Sequence, residues 1–200
     1  MSATAPVRRL TEAEYLAFER KAEVKHEFFD GEVFAMAGAS PSHSRIASDL
    51  LITLGNSLRG KPCQPYNSDL RIKVELTGLI TYPDLSVICG SLEFAPGTED
   101  TVVNPTALFE VLSDSTEAYD RGNKFLNYQH ILLLREYLLV SQHKPRIEQF
   151  IRGERGQWIW RVAEGMESTL TMPSLETTLA LADVFANVVF KPAPVRAVNA

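Results

Sequence analysis

The sequence is poor in cysteine, has no long apolar run and concentrates no positive charge, and each shortage excludes a class of protein. Cys63 and Cys89 are the only two cysteines. They have neither metal-site spacing nor the density of a disulfide scaffold, so reduced thiols in a cytoplasmic protein are expected. No window holds the roughly 18 uncharged apolar residues of a membrane span, so no membrane partner is expected. Met1 to Pro6 lack the charged-then-apolar pattern of a signal peptide. Lys and Arg number 20 against 25 Asp and Glu, a net charge of −5, and no basic run stands out. That is a mild argument against nucleic-acid binding by bulk electrostatics, and it does not exclude a nuclease, because bound metal ions and a local basic surface can meet phosphates. There is no Gly-x-Ser-x-Gly elbow, and Cys89 falls at the end of an expected strand, so a serine or cysteine nucleophile has little support.

What is present is ordinary globular composition, 45% hydrophobic and 22% charged over 200 residues. That length fits one domain, expected over residues 10–190, between a flexible N-terminus (1–9) and a disordered tail (191–200). Thr11 and Glu14 make a capping-box pattern before a short helix, Glu12 to Arg20, with Tyr15, Leu16 and Phe18 turned inward. Phe28-Phe29 and Val33-Phe34 flank Asp30-Gly31, the signal of a tight hairpin. Ser40 to His43 begins a second helix, in which Ile46, Leu50, Leu51, Leu54 and Leu58 recur at helical spacing. Asp69 to Glu75 alternates as a strand. Asp84 to Cys89, Ala107 to Leu112 and Glu136 to Val140 read as further strands, and Ile147 to Arg152 with Gln157 to Val162 as a hairpin. Ser113 to Thr116 caps a helix from about Glu117 to Leu134. The order predicts an α/β (α+β) fold, a mixed sheet with helices packed on it.

Three residues stand out in this frame. Pro83-Asp84 opens one apolar strand, and Glu110 lies inside another, between Leu108-Phe109 and Val111-Leu112. An acid in such a strand is costly unless it is paired or bound to a metal. Lys124 follows on the next helix, in one stripe with Asp120 and Tyr128. Two carboxylates on neighbouring strands can hold a divalent ion, and a nearby lysine can orient water and offset charge; those are the parts that hydrolyse a phosphodiester. Each residue has a plainer reading: Asp84 as a turn aspartate, Glu110 as a buried ion-pair partner, Lys124 as the partner of Asp120 along a helix face. Glu27, His43, Asp69 and Asp120 are supporting candidates. Gly122 marks either close backbone approach or a later helix start.

The ordered set His26-Glu27-Phe28-Phe29-Asp30-Gly31, Ser42-His43, Ser68-Asp69, Tyr82-Pro83-Asp84, Phe109-Glu110-Val111-Leu112 and Asp120-Arg121-Gly122-Asn123-Lys124 resembles the Uma-type restriction endonuclease family, within the PD-(D/E)XK nuclease superfamily. The resemblance spans about residues 10 to 190. It implies a restriction-endonuclease-like mixed sheet flanked by helices. It also implies Asp84 and Glu110 as ligands of Mg²⁺ (or Mn²⁺), Lys124 as the catalytic lysine, a DNA substrate and a homodimer. In the superfamily pattern the lysine comes two residues after the second acid, where this chain has Leu112, so Lys124 would be a migrated lysine. The alternative is a nuclease-fold module with little or no catalysis that binds nucleic acid or protein.

Overall fold

The capping box at Thr11 forms in full in the computed structural model, which describes residues 9–190. Thr11 Oγ1 accepts from the Glu14 amide at 3.3 Å, and Glu14 reaches back to the Thr11 amide at 2.9 Å. It opens α1, Glu12–Glu19. Tyr15, Leu16 and Glu19 fill the buried arc of this two-turn helix, and Phe18 falls outside it, exposed against the ring of His26. The expectations for the two chain ends lie outside the described residues, apart from Arg9, which pairs with Asp30 and Glu32.

The hairpin forms as β1, His26–Phe29, and β2, Glu32–Ala35. Asp30 and Gly31 both take positive φ, 49° and 81°, which a tight hairpin turn of this twist demands. Ser40 caps α2, Pro41–Ser57, by accepting from the His43 amide at 3.1 Å, and Pro41 sits in the first turn, where its missing N–H costs nothing.

Two sheets follow. The larger joins β3 (Cys63–Asn67), β6 (Leu85–Cys89), β8 (Ala107–Leu112), β9 (Glu136–Ser141), β10 (Arg146–Arg152) and β11 (Trp158–Glu164) in the order β11-β10-β9-β8-β6-β3. Only β8 and β9 run parallel within it. The smaller joins the hairpin to β4 (Arg71–Lys73), β5 (Ile80–Thr81) and β7 (Thr101–Val102) in the order β2-β1-β5-β4-β7. The helical segment after β8 comprises α3 (Glu117–Tyr119), a π-helical turn (Asp120–Lys124) and α4 (Phe125–Tyr128). A last hairpin, β12 (Thr169–Met172) and β13 (Thr177–Ala180), leads into α5, Leu181–Val184.

Alternation along β8 divides the core. Phe109 and Val111 join Ile46, Leu50 and Leu54 of α2 in one cluster. Leu108 and Leu112 join Tyr128, Tyr137 and Ile72 on the opposite face, between the two sheets. Glu110 shares that second face, as period-2 geometry requires.

Several expectations are corrected. The helix after β8 stops at Tyr128 rather than near Leu134; the carbonyls of the stretch that follows, at Gln129, Ile131, Leu132 and Leu134, accept instead from the guanidinium of Arg152. The strand expected over residues 69–75 shortens to β4, and β6 begins at Leu85, leaving Pro83 and Asp84 just ahead of it. Cys63 and Cys89 are not free thiols. They stand directly opposite each other in the β3–β6 pair and are joined by a disulfide. That pairing is set by long-range register, which spacing along the chain does not reveal. Among the described residues no helix is long and apolar enough to cross a membrane.

Candidate functional site

The acids singled out in the sequence converge between the two sheets. β6 and β8 pair with Leu85 opposite Phe109, so the residue before Leu85 lies beside Glu110. Asp84 is fixed there by its Oδ2, which accepts from the Val111 amide at 2.8 Å and lies 3.1 Å from Nε2 of His43. His43 comes from the first turn of α2.

Lys124 reaches the same face from the π-helical turn. Its Nζ is 2.9 Å from Glu110 Oε1, 3.0 Å from Glu27 Oε1 and 3.6 Å from Asp120 Oδ1. All four of these groups are buried. Neighbouring hydroxyls complete the network. Tyr128 donates to Glu110 Oε1 at 2.8 Å and Thr81 to Glu27 Oε1 at 2.5 Å, and the Tyr119 ring lies 5.9 Å from Lys124 Nζ. Tyr137 donates to the Asp120 carbonyl at 3.0 Å and so ties the π-helical turn to β9.

The charges in this space are out of balance. Asp84, Glu110, Asp120 and Glu27 face one ammonium and one imidazole. Burial raises Glu110 well above the usual carboxylate range. Lys124 pulls it back down, while Asp120 and Asp84 push it up again. Asp120 is raised in the same way, first by burial. Burial would depress Lys124, but Glu110, Glu27 and Asp120 outweigh it and hold the ammonium charged. His43 is raised on the same terms: burial lowers it, and Asp84 with the Val111 backbone more than compensates.

Not every candidate belongs to the cluster. Asp69 lies outside it, in the turn before β4, where its exposed carboxylate binds Lys25 at 2.5 Å and Asn67 at 3.1 Å. Gly122 makes no close approach. Nothing lies within 4 Å of where a Cβ would sit, and the glycine falls inside the π-helical turn. Thr81 and Tyr119 are part of the network and carried no sequence signal of it. Tyr128 did, through its stripe with Asp120 and Lys124.

Among the described residues, no three His, Cys, Asp or Glu side chains form a ready-made cage for a metal ion. The donor chemistry nevertheless fits a hard cation. Mg²⁺ commonly takes only one or two carboxylates and completes its shell with water and substrate phosphate. An excess of acids over cations is also the imbalance that a dication relieves.

Comparison with known proteins gives the family and the fold. A family model, Uma2, described as "Putative restriction endonuclease", matches residues 12–183. Two uncharacterized proteins of Synechocystis are similar to the chain. One is 40% identical over 79% of this chain and 82% of its own length, the other 35% identical over 80% and 90%. The fold resembles the crystal structure of a putative nuclease from Anabaena variabilis, with a TM-score of 0.73 at 18% identity over 90% of this chain and 99% of that one. The matched span runs from the start of α1 past Glu27, Asp84, Glu110 and Lys124 to α5, and on that match the chain belongs to the Uma2 family of putative restriction endonucleases.

Proposed function

We propose that this protein is a metal-dependent endonuclease that hydrolyses phosphodiester bonds of DNA. The observation that carries the reading is the arrival of Asp84 and Glu110 side by side from adjacent strands, with the buried ammonium of Lys124 2.9 Å from Glu110. Asp84 and Glu110 would hold Mg²⁺ or Mn²⁺ through oxygen donors. Both contacts to Asp84 fall on Oδ2, and both to Glu110 on Oε1. Oδ1 and Oε2 are therefore the oxygens offered to a cation. When bound, such an ion polarises the scissile phosphate and lowers the pKa of its water.

The chain's own residues do the rest. The Val111 amide and His43 fix the Asp84 carboxylate in one orientation. Tyr128 does the same for Glu110. Lys124 supplies a positive charge that cannot leave with solvent, where the developing charge of the transition state needs it. Glu27 and Asp120 hold that ammonium in place. A homodimer, cutting both strands of a duplex, is the proposed working form; sedimentation gives its mass directly.

The test is cleavage of plasmid and single-stranded DNA in Mg²⁺ or Mn²⁺, with Asp84→Ala and Glu110→Ala purified identically. Wild type is expected to cut, and each variant to lose at least about a hundred-fold in single-turnover rate with the fold retained, since each removes a group that acts on the transition state. Equal rates in all three would overturn the assignment.

A second reading has its own support. Leu112 occupies the usual lysine position, and Lys124 is locked between two carboxylates. A nuclease-fold module that binds nucleic acid or protein without cutting would show binding with no metal-dependent cleavage by wild type.

A further inference from the structure

Beside the acid cluster the surface opens into a groove of about 620 Å³ that the mechanism leaves unused. One wall is the hairpin. In the β1–β2 register Phe34 stands directly opposite Glu27, and Phe29 lies two residues along on the same face. The other wall is the helical segment after β8, which presents Tyr119, Asn123 and Leu126. Phe29, Phe34 and Leu126 are all exposed, although each is large and apolar. Glu27 belongs both to this groove and to the cluster, where it lies 3.0 Å from Lys124.

We propose that this groove takes one unstacked nucleobase of the strand being cut, so that the substrate is a nucleic acid with an unpaired or flipped-out nucleotide at the scissile position. The inference rests on the nuclease reading and supplies its substrate class. Three features select a base over other occupants. The lining contains no Lys or Arg, so it does not suit phosphate or an acidic peptide. It combines aromatic faces with the amides of Asn123 and Asn127, which suits a flat ring with hydrogen-bonding edges. It is continuous with the cluster through Glu27, so a base seated there brings its own phosphate to the acids. A groove of this volume is in the range of small-molecule sites; it admits a base taken out of the stack rather than an intact duplex.

The experiment uses the full chain in EDTA, so that nothing is cut. Fluorescence anisotropy and 2-aminopurine emission are read for one oligonucleotide presented single-stranded, fully paired, and paired with the 2-aminopurine left bulged. The two unpaired forms are expected to bind about ten-fold more tightly than the paired one, with emission quenched by stacking. Phe34→Ala should lose about ten-fold in affinity for the unpaired forms and most of the quenching, a typical effect of removing one stacking ring, and Phe34→Tyr should retain both. Phe34 is exposed on an edge strand, and thermal unfolding of each variant shows whether the fold survives.

Equal affinity for paired and unpaired forms, no binding at all, or an unchanged Phe34→Ala overturns the proposal. So does a Phe34→Ala variant that converts a dimer to a monomer in sedimentation, because the groove would then hold a second copy. The two readings fail separately. Metal-dependent cleavage with an unaffected Phe34→Ala sinks the groove alone; base-selective binding without cleavage sinks the nuclease alone.

Discussion

Lys124 is the residue whose loss the cluster can least accommodate. Its ammonium is the only buried counter-charge within reach of both Glu27 and Glu110 among the described residues. Removing one partner of a buried ion pair leaves the other desolvated and uncompensated, which typically costs about 3–5 kcal/mol. Lys124→Met is therefore expected to lose about 3 kcal/mol in denaturant unfolding without metal, and millimolar Mg²⁺ should restore part of it. Adding Glu110→Gln to Lys124→Met should recover stability relative to the single variant. If it recovers none, Glu110 does not face Lys124 as an ion. Sequence alone made Glu110 conspicuous, because an acid between Phe109 and Val111 contradicts its surroundings. It could not reveal Thr81 or Tyr119, common hydroxyl residues that acquire a role only when β5 and the helical segment are brought beside β1. Asp69 misled for the opposite reason: its strand starts two residues later, so the polar face it was assigned to does not include it.

At the scale of elements, the segment Glu117 to Tyr128 is where local sequence and tertiary demand disagree. Its π-helical turn places both Asp120 and Lys124 in the buried cluster. Gly122 lies inside that turn with ordinary negative φ and open space around it. Gly122→Ala should therefore raise stability by about 0.5–1 kcal/mol through helix propensity. Destabilisation on thermal or denaturant unfolding would show instead that the π geometry depends on glycine.

The same segment is tied to the edge of the large sheet by Glu148. Its carboxylate accepts two bonds from Arg121, at 2.9 and 3.0 Å, and one from Trp160 at 3.2 Å. Burial alone would raise Glu148, but Arg121, Trp160 and Arg146 outweigh it and hold the carboxyl below its ordinary 4.5. A depressed folded pKa gives stability that is fully present above about pH 4.5 and is lost as pH falls through the folded value. Glu148→Gln should accordingly flatten the fall in unfolding free energy as pH drops below about 4.5. An identical slope in both proteins would remove Glu148 from the acid response. Elements built on local signals, such as the Asp30-Gly31 hairpin, α2 and the β10–β11 hairpin, were legible in the sequence. β3, with Pro65 inside it, and the two-residue strands β5 and β7 were not, because each exists only through its long-range partner.

For the whole molecule, alternating strand and helix patterns announced a mixed α/β fold, but not its division into two sheets with the site between them. Strand order is a property of non-local pairing. The same scale governs how the protein meets a polyanion. The net charge is −5, and the fold pairs its cations with its own acids: Arg20 and Arg71 with Asp100, Lys73 with Glu12, Arg146 with Glu148 and Glu164. If a base in the groove and a phosphate at the cluster carry recognition, few condensed counterions are displaced on binding. About two phosphate contacts predict a slope of about −1.4 on a single strand or about −1.8 on a duplex in log affinity against log salt, or a loss of about seven- to twelve-fold between 50 and 200 mM salt. Anisotropy titrations of one oligonucleotide across that range measure the slope. A slope of about −6 or steeper would mean that ion pairs now closed on the surface open to grip the backbone, and that affinity comes from the phosphate track rather than from the groove beside Glu27.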